Sequence, residues 1–227
     1  MSCELTSQRH WIERTGLKRT LFMTLLLLSN AATAQHLDAY MQSVMHEHQI
    51  VGLSVAVVRD GKVVEAKGYG LANLETGTPA TAKTVYKIAS ISKQFIASAI
   101  LLLVQNAPSW ITVRASGAFL STVLDMAKWD AVLDTDRVLP SSLRQRMWTP
   151  ARLNDGTTHP YGFGWAVETM NGHKRVHHNG GTPGFASDFE RFPDDKLAVI
   201  VLINTASINP EEVALHIAGL YNTALAR

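Results

Sequence analysis

Three hairpin signatures constrain the fold of this 227-residue chain more strongly than any other sequence feature. In each of them two apolar segments flank a turn sequence, and the turns are Asp60-Gly61, Asn171-Gly172 and Pro193-Asp194-Asp195. Asp-Gly and Asn-Gly between apolar runs are typical of the tight turns that join antiparallel strands. Apolar residues recur with a helical period near both ends, at residues 36–49 and 210–226. The pattern predicts an α+β fold, in which an antiparallel β-sheet is flanked by N- and C-terminal helices.

The same periodicities predict the individual elements. The predicted strands are 53–58, 63–70, 161–168, 175–178, 185–192 and 197–204. The predicted helices between them are 90–105, 121–133, with Ser121 as its N-cap, and 141–148.

The first 34 residues have the layout of a secretory signal peptide. Basic residues precede an apolar run at 21–28, and Ala32-Thr33-Ala34 supplies small residues before a predicted cleavage at Gln35. The run is short for a membrane span, and an N-terminal anchor is the alternative. The only cysteine is Cys3, so the mature domain, residues 35–227, would contain neither a disulfide nor a thiol nucleophile. The sequence predicts a periplasmic or secreted location.

The net positive charge of the chain comes from the leader. Its four basic and two acidic residues account for the formal charge of +2 of the whole chain. The remainder is close to neutral, which argues against a nucleic-acid partner.

Ser90-Ile91-Ser92-Lys93 is the first motif that can carry chemistry. Residues three apart share one face of a helix, so a helix that begins near Ser90 places its hydroxyl beside the Lys93 amine. A serine hydroxyl is a weak nucleophile until a base takes its proton, and a lysine in apolar surroundings can be that base. The tetrapeptide alone also fits an N-cap serine followed by a surface lysine.

A glycine pair beside two histidines forms the second motif, His177-His178-Asn179-Gly180-Gly181. Glycines at the end of a strand let a ligand approach the backbone, and the exposed N–H groups can stabilise an oxyanion. His178 could donate a hydrogen bond to a substrate carboxylate or carbonyl. The alternative is a glycine-rich turn, with His177 and His178 on opposite faces of a strand.

Several segments of the chain together resemble one family. Residues 88–95 resemble the Ser-x-x-Lys element of class C β-lactamases, D-alanyl-D-alanine carboxypeptidases and related esterases. Residues 116–129 are similar to a later helical region of these proteins, and 161–165 to the strand before their third motif. His178-Asn179-Gly180 resembles that third motif in its His-x-Gly form. The segments occur in the order that is typical of the serine β-lactamase and penicillin-binding-protein family.

The resemblance implies a serine hydrolase that uses no cofactor and no metal. Ser90 would attack a carbonyl and form an acyl-enzyme, while Lys93 holds or shuttles the proton. The N–H groups of Ser90 and Gly181 would form the oxyanion hole, with His178 and Gly180 lining the substrate site. The substrate stays open among β-lactams, D-Ala-D-Ala peptides and simple esters.

The chain departs from the family in its middle. The family's Tyr-x-Asn or Ser-x-Asn motif has no match between Ser90 and His178, and only residues 106–115 stand where the family has a large helical domain. We infer an internal deletion between about 105 and 116. The helix 91–104 would then lose part of its cover, which predicts self-association through its apolar face. The missing middle motif predicts impaired activity.

Three other functions compete with this interpretation. A non-catalytic relative that binds β-lactams or cell-wall peptides fits the absent middle motif. An α/β-hydrolase requires Gly-x-Ser-x-Gly, which the chain lacks. A zinc site would have to use His173, His177 and His178, although no carboxylate or cysteine pattern accompanies them.

Overall fold

The computed structural model describes residues 32–106, 117 and 119–226. The chain divides into two compact units, Met1–Tyr40 and Met41–Arg227. Residues 32–47 form helix α1, which begins earlier than the predicted 36. Residues 1–31 of the predicted leader and the whole segment 107–116 lie outside the described residues. Within the described ranges, no helix has the length and apolar character needed to cross a membrane.

The second unit contains the strands, the remaining helices and two 3₁₀ turns. The strands are β1 (Gly52–Arg59), β2 (Lys62–Asn73), β3 (Thr78–Pro79), β4 (Tyr86–Lys87), β5 (Leu120–Ser121), β6 (Ala151–Arg152), β7 (Thr158–His159), β8 (Ala166–Met170), β9 (His173–Thr182), β10 (Phe185–Phe192) and β11 (Leu197–Ile203). The helices are α2 (Ser92–Asn106), α3 (Val123–Leu133), α4 (Ser141–Met147) and α5 (Pro210–Tyr221), and the 3₁₀ turns are Ala89–Ile91 and Thr223–Leu225.

A seven-stranded antiparallel sheet forms the centre of this unit, in the order β3-β2-β1-β11-β10-β9-β8. Every residue of β11 is buried, because helices cover both faces of the sheet. Ala198, Ile200 and Leu202 pack in one core with Met126 of α3. The alternate residues of β11 face the other side, where α5 packs on β10 and β11. The predicted α+β architecture is confirmed.

The three predicted turns are confirmed. Asp60-Gly61 joins β1 to β2 and Asn171-Gly172 joins β8 to β9, with positive φ at all four residues. Two consecutive residues with positive φ are the requirement of the tight hairpin turn that these sequences favour. The third turn, between Phe192 and Leu197, ends at Lys196 with a φ of +50°.

Several predicted boundaries were wrong. Residues 161–165 are a loop and not part of a strand, since β8 begins at Ala166 and Tyr161 makes only an isolated bridge to it. β9 is longer than the predicted 175–178 because it extends through the glycine pair. The N-cap of α3 is Thr122 and not Ser121, because the Thr122 side chain accepts the Asp125 N–H.

The described side chains of helix α2 are covered to different extents. Leu101 is buried, Phe95 and Leu102 are half-buried, and Leu103 is 49% exposed. Phe95 packs against Trp129, with ring centroids 4.7 Å apart. Self-association through this face stays a prediction.

Candidate active site

The structure brings the serine and the lysine of the first motif together. Ser90 lies in the 3₁₀ turn Ala89–Ile91, and Lys93 lies in the first turn of α2. The Lys93 amine forms a hydrogen bond with Ser90 Oγ. Both side chains are half-buried, so the pair is partly shielded from water and still accessible to a substrate.

The residue before the serine has an unusual backbone conformation. Ala89 has a φ of +45°, in the left-handed region that residues other than glycine rarely adopt. Such a conformation costs about 1–3 kcal/mol and persists only where the surrounding contacts impose it. Ala89 and Ile91 are buried, whereas Ser90 between them is half-buried. The strained turn therefore directs Ser90 away from the core.

Three hydrogen bonds hold this turn against the sheet and the following loop. Ser187 Oγ of β10 donates to the Ile88 carbonyl at 3.1 Å. The Ile88 N–H donates to the Phe119 carbonyl at 3.1 Å. The Phe119 N–H in turn donates to Ser92 Oγ at 3.3 Å. The turn that carries Ser90 is thus bonded on both sides to segments distant in the sequence.

Gly180 of β9 allows the strand to approach the serine. A Cβ at residue 180 would lie 2.6 Å from Ser187 Oγ, 2.7 Å from the Ile88 oxygen and 2.9 Å from the Ser90 nitrogen. No real side chain fits these distances, so glycine is required for the contact. A Cβ at Gly181 would meet no atom within 4 Å.

The two glycines yield a prediction about the Ser90 turn. In the acyl-enzyme reaction that the resemblance implies, Gly180→Ala should slow the acylation of Ser90 by roughly 10²-fold, because a displacement of about 1 Å in a reacting group has an effect of that size. Gly181→Ala retains its backbone N–H and introduces no clash, so it should slow the acylation of Ser90 far less. The measurement is the rate of labelling by a fluorescent penicillin. Equal rates for the two variants would contradict the close-approach role of Gly180.

His178 lies on the Ser90 side of β9, and its ring is engaged at both nitrogens. Nδ1 bonds the Asn179 carbonyl, and Nε2 lies 2.8 Å from the Tyr161 hydroxyl. A carbonyl oxygen only accepts, so Nδ1 carries the proton, and in the neutral ring Nε2 accepts from Tyr161. Burial lowers the pKa of His178 and, although the bond to Asn179 opposes this, the charge of Lys93 lowers it further. The expected donation to a substrate would require one of these bonds to break.

A cluster of charged side chains lies on the opposite face of β9. The Arg175 guanidinium contacts Glu190 at 2.5 and 2.7 Å, Glu211 at 2.6 Å, Glu168 at 2.9 Å and His177 at 3.2 Å. The side chains of Arg175 and Glu190 are 3% and 0% exposed. The cluster joins β8, β9, β10 and α5, and β9 separates it from Ser90.

The three histidines that a zinc site would need do not come together. His173 Nδ1 pairs with Asp195 at 2.9 Å, whereas His177 faces the charged cluster and His178 faces Ser90. His177 and His178 therefore lie on opposite faces of β9, as strand alternation requires.

Among the described residues, His177, Glu190 and Glu211 form a group whose possible ligand atoms lie within 4.8 Å of one another. Arg175 Nη2 contacts all three of these side chains. The guanidinium already occupies the central position that a metal ion would take.

Two contributors to the site were missed by sequence reasoning. Tyr161 was assigned only to a strand, although the glycines at 162 and 164 are a signal for a loop. The buried Gln94 side chain accepts a hydrogen bond from Trp129 Nε1 at 2.7 Å and so ties the start of α2 to α3. No local sequence signal indicates that contact.

Comparison with known proteins identifies the family of this chain. The family description "Beta-lactamase" matches residues 37–110 and 105–221. The two matched segments meet at 105–110, where the sequence predicts the internal deletion. The chain therefore belongs to the Beta-lactamase family.

Individual relatives are similar over parts of the chain. Penicillin-binding protein 4* of Bacillus subtilis (strain 168) is 30% identical over 104 residues, which are 45% of this chain and 23% of that protein. Esterase EstB of Burkholderia gladioli is 35% identical over 81 residues, which are 36% of this chain and 21% of that protein. The matched segments thus span less than a quarter of either relative.

A solved structure shares the fold. The octameric penicillin-binding protein homologue from Pyrococcus abyssi superposes with a TM-score of 0.74 at 17% identity. The superposition covers 83% of this chain and 77% of that one.

Proposed function

We propose that the protein is a serine hydrolase that acts through an acyl-enzyme on Ser90. The observation that carries the proposal is the Lys93–Ser90 hydrogen bond, formed at a strained turn that packs against a glycine of β9. A base in contact with a serine hydroxyl is the arrangement that nucleophilic catalysis requires. The family relationship supports the same chemistry.

The proposed reaction has two steps. The Lys93 amine takes the Ser90 proton while Oγ attacks the substrate carbonyl, and the Ser90 and Gly181 N–H groups stabilise the oxyanion. The intermediate collapses when its C–N or C–O bond breaks, and the leaving group receives the proton from Lys93. Water then attacks the acyl group, which releases the acid and returns a proton to Ser90 Oγ.

The substrates belong to the same proposal, and they are β-lactams, D-Ala-D-Ala peptides or simple esters. The similarity to a penicillin-binding protein supports the β-lactams, and the similarity to an esterase supports the esters. A periplasmic or secreted location rests on the leader-like residues 1–34.

The second candidate is a protein that becomes acylated or binds without turnover. The observation in its favour is the absence of Tyr-x-Asn between Ser90 and His178. Losing one acid–base group typically lowers a rate by about 10²–10⁴-fold, and a loss of that size in the hydrolysis of the acyl-enzyme would leave the protein acylated.

Labelling and turnover together distinguish the two functions. The full chain, shown to be folded by circular dichroism, is incubated with a fluorescent penicillin and separately with nitrocefin or a p-nitrophenyl ester. We expect covalent labelling together with slow, repeated turnover of at least one chromogenic substrate. Labelling without turnover would establish the binding protein instead, and a folded chain with neither would overturn both functions.

A further inference from the structure

Tyr161 contacts His178, and the loop that begins at Tyr161 packs against the start of α2. Its hydroxyl bonds His178 Nε2 at 2.8 Å, and the two rings meet edge to face with centroids 5.7 Å apart. The loop that follows it packs on the start of α2, since a Cβ at Gly164 would lie 2.9 Å from the Gln94 nitrogen and from the Lys93 carbonyl carbon. One short loop therefore joins the histidine of β9 to the backbone of the catalytic lysine.

The Asn179 carbonyl fixes one hydrogen-bond direction in this group. It can only accept, so His178 Nδ1 bears a proton, and in the neutral ring, which burial favours, Nε2 accepts from the Tyr161 hydroxyl. Burial raises the pKa of Tyr161, which keeps it a donor near neutral pH. Donation to Nε2 stabilises the neutral imidazole, because a protonated ring cannot accept there and would require the Tyr161 hydroxyl to turn and accept instead.

We propose that Tyr161 is a positioning residue that holds His178 as the neutral Nδ1–H tautomer beside Lys93. The inference rests on the proposed function and extends it to a residue outside the Ser-x-x-Lys and His-x-Gly motifs. When Lys93 takes the Ser90 proton it becomes a cation, and a second cation at His178 would oppose that transfer. A neutral His178 leaves the transfer unopposed.

Removing the hydroxyl should shift the pH dependence of acylation and leave its rate at high pH unchanged. In Tyr161→Phe the neutral form of His178 loses one hydrogen bond, so the imidazole protonates at a higher pH than in the unmodified protein. We expect labelling by a fluorescent penicillin to fall by roughly two- to tenfold at pH 6, which is the effect of one hydrogen bond. At pH 8, where His178 is neutral in both proteins, the rates should agree. If Tyr161 had a purely structural role, Tyr161→Phe would lower the labelling rates at pH 6 and at pH 8 equally.

The tautomer itself is tested without any substrate. Nitrogen-15 NMR of the full chain should show a protonated Nδ1 and an unprotonated Nε2 at His178, and the titration of this ring should move to higher pH in Tyr161→Phe. Tyr69→Phe, in β2, is the matched control and should leave the titration unchanged. A protonated Nε2 in the unmodified protein, or an unmoved titration in Tyr161→Phe, would overturn the inference. A moved titration in a chain that no penicillin acylates would support the pairing and contradict the proposed function.

Discussion

Replacing Lys93 by methionine should slow the acylation of Ser90 by roughly 10²–10⁴-fold, the usual effect of losing one proton-transfer group. Methionine keeps an unbranched, flexible side chain that fills the same space but has no amine. The amine is hydrogen-bonded to Ser90 Oγ, so the variant removes the base that the structure places beside the hydroxyl. The rate constant for labelling by a fluorescent penicillin, followed by quenching and gel electrophoresis, measures the effect.

Lys128→Met is the matched control for this change. Lys128 lies on α3, its side chain is 77% exposed, and it forms an ion pair with Asp125 at 2.8 Å. Exposed pairs of this kind contribute little to stability, so labelling should proceed at the unmodified rate. If Lys93→Met and Lys128→Met were acylated equally fast, Lys93 would not be the base.

The free energy of unfolding should fall as the pH rises from about 5 to 8, and Asp188→Asn should remove much of that fall. Asp188 is fully buried, and neither of its carboxylate oxygens receives a hydrogen bond from the described part of the chain. Burial raises the pKa of Asp188 well above its ordinary value of 3.8, and the neighbouring Glu190 raises it further. The charge of Glu211 also raises the pKa of Asp188, whereas the charge of Arg175 lowers it.

The direction of this pH dependence follows from the protons that the folded and unfolded chains bind. Above pH 4 the unfolded chain has lost the Asp188 proton while the folded chain still holds it, so rising pH favours unfolding. The contribution is up to roughly 1.4 kcal/mol for each pH unit, against a total stability of about 5–15 kcal/mol for a typical domain. An asparagine cannot titrate, and its amide can donate to Glu190 without an added proton. Asp188→Asn should therefore be more stable than the unmodified protein at pH 8.

Urea unfolding at pH 5, 6.5 and 8, followed by tryptophan fluorescence, measures how the free energy of unfolding changes with pH in the unmodified protein and in Asp188→Asn. Asp194→Asn is the control, because Asp194 is exposed in the turn between β10 and β11 and should leave the slope unchanged. An Asp188→Asn profile parallel to that of the unmodified protein would show that this carboxyl is ionised in the folded state.

The sequence predicted those parts of the fold that local signals determine. Asp60-Gly61 and Asn171-Gly172 identified their hairpins because residues that tolerate positive φ are needed at these turns. The Ser90–Lys93 pair could also be predicted, since a spacing of three places both side chains on one helix face.

What sequence reasoning missed depends on contacts between distant segments. The positive φ of Ala89 could not be predicted from the residue type, because alanine ordinarily favours the helical conformation. Tyr161 reaches His178 only because residues 161–165 leave the sheet and form a loop over the start of α2. The Arg175 cluster draws on four elements, and a charged residue on a strand predicts exposure until the strand's neighbours are known.

The central claim is that this chain folds into a site in which Ser90 is the nucleophile, and intact-mass spectrometry tests it most directly. After incubation of the unmodified protein with a β-lactam, we expect a mass increase equal to the whole ligand, because opening the ring releases no fragment. Peptide mapping should place the adduct on Ser90, and Ser90→Ala should show none. An adduct of equal yield on Ser90→Ala would contradict the account.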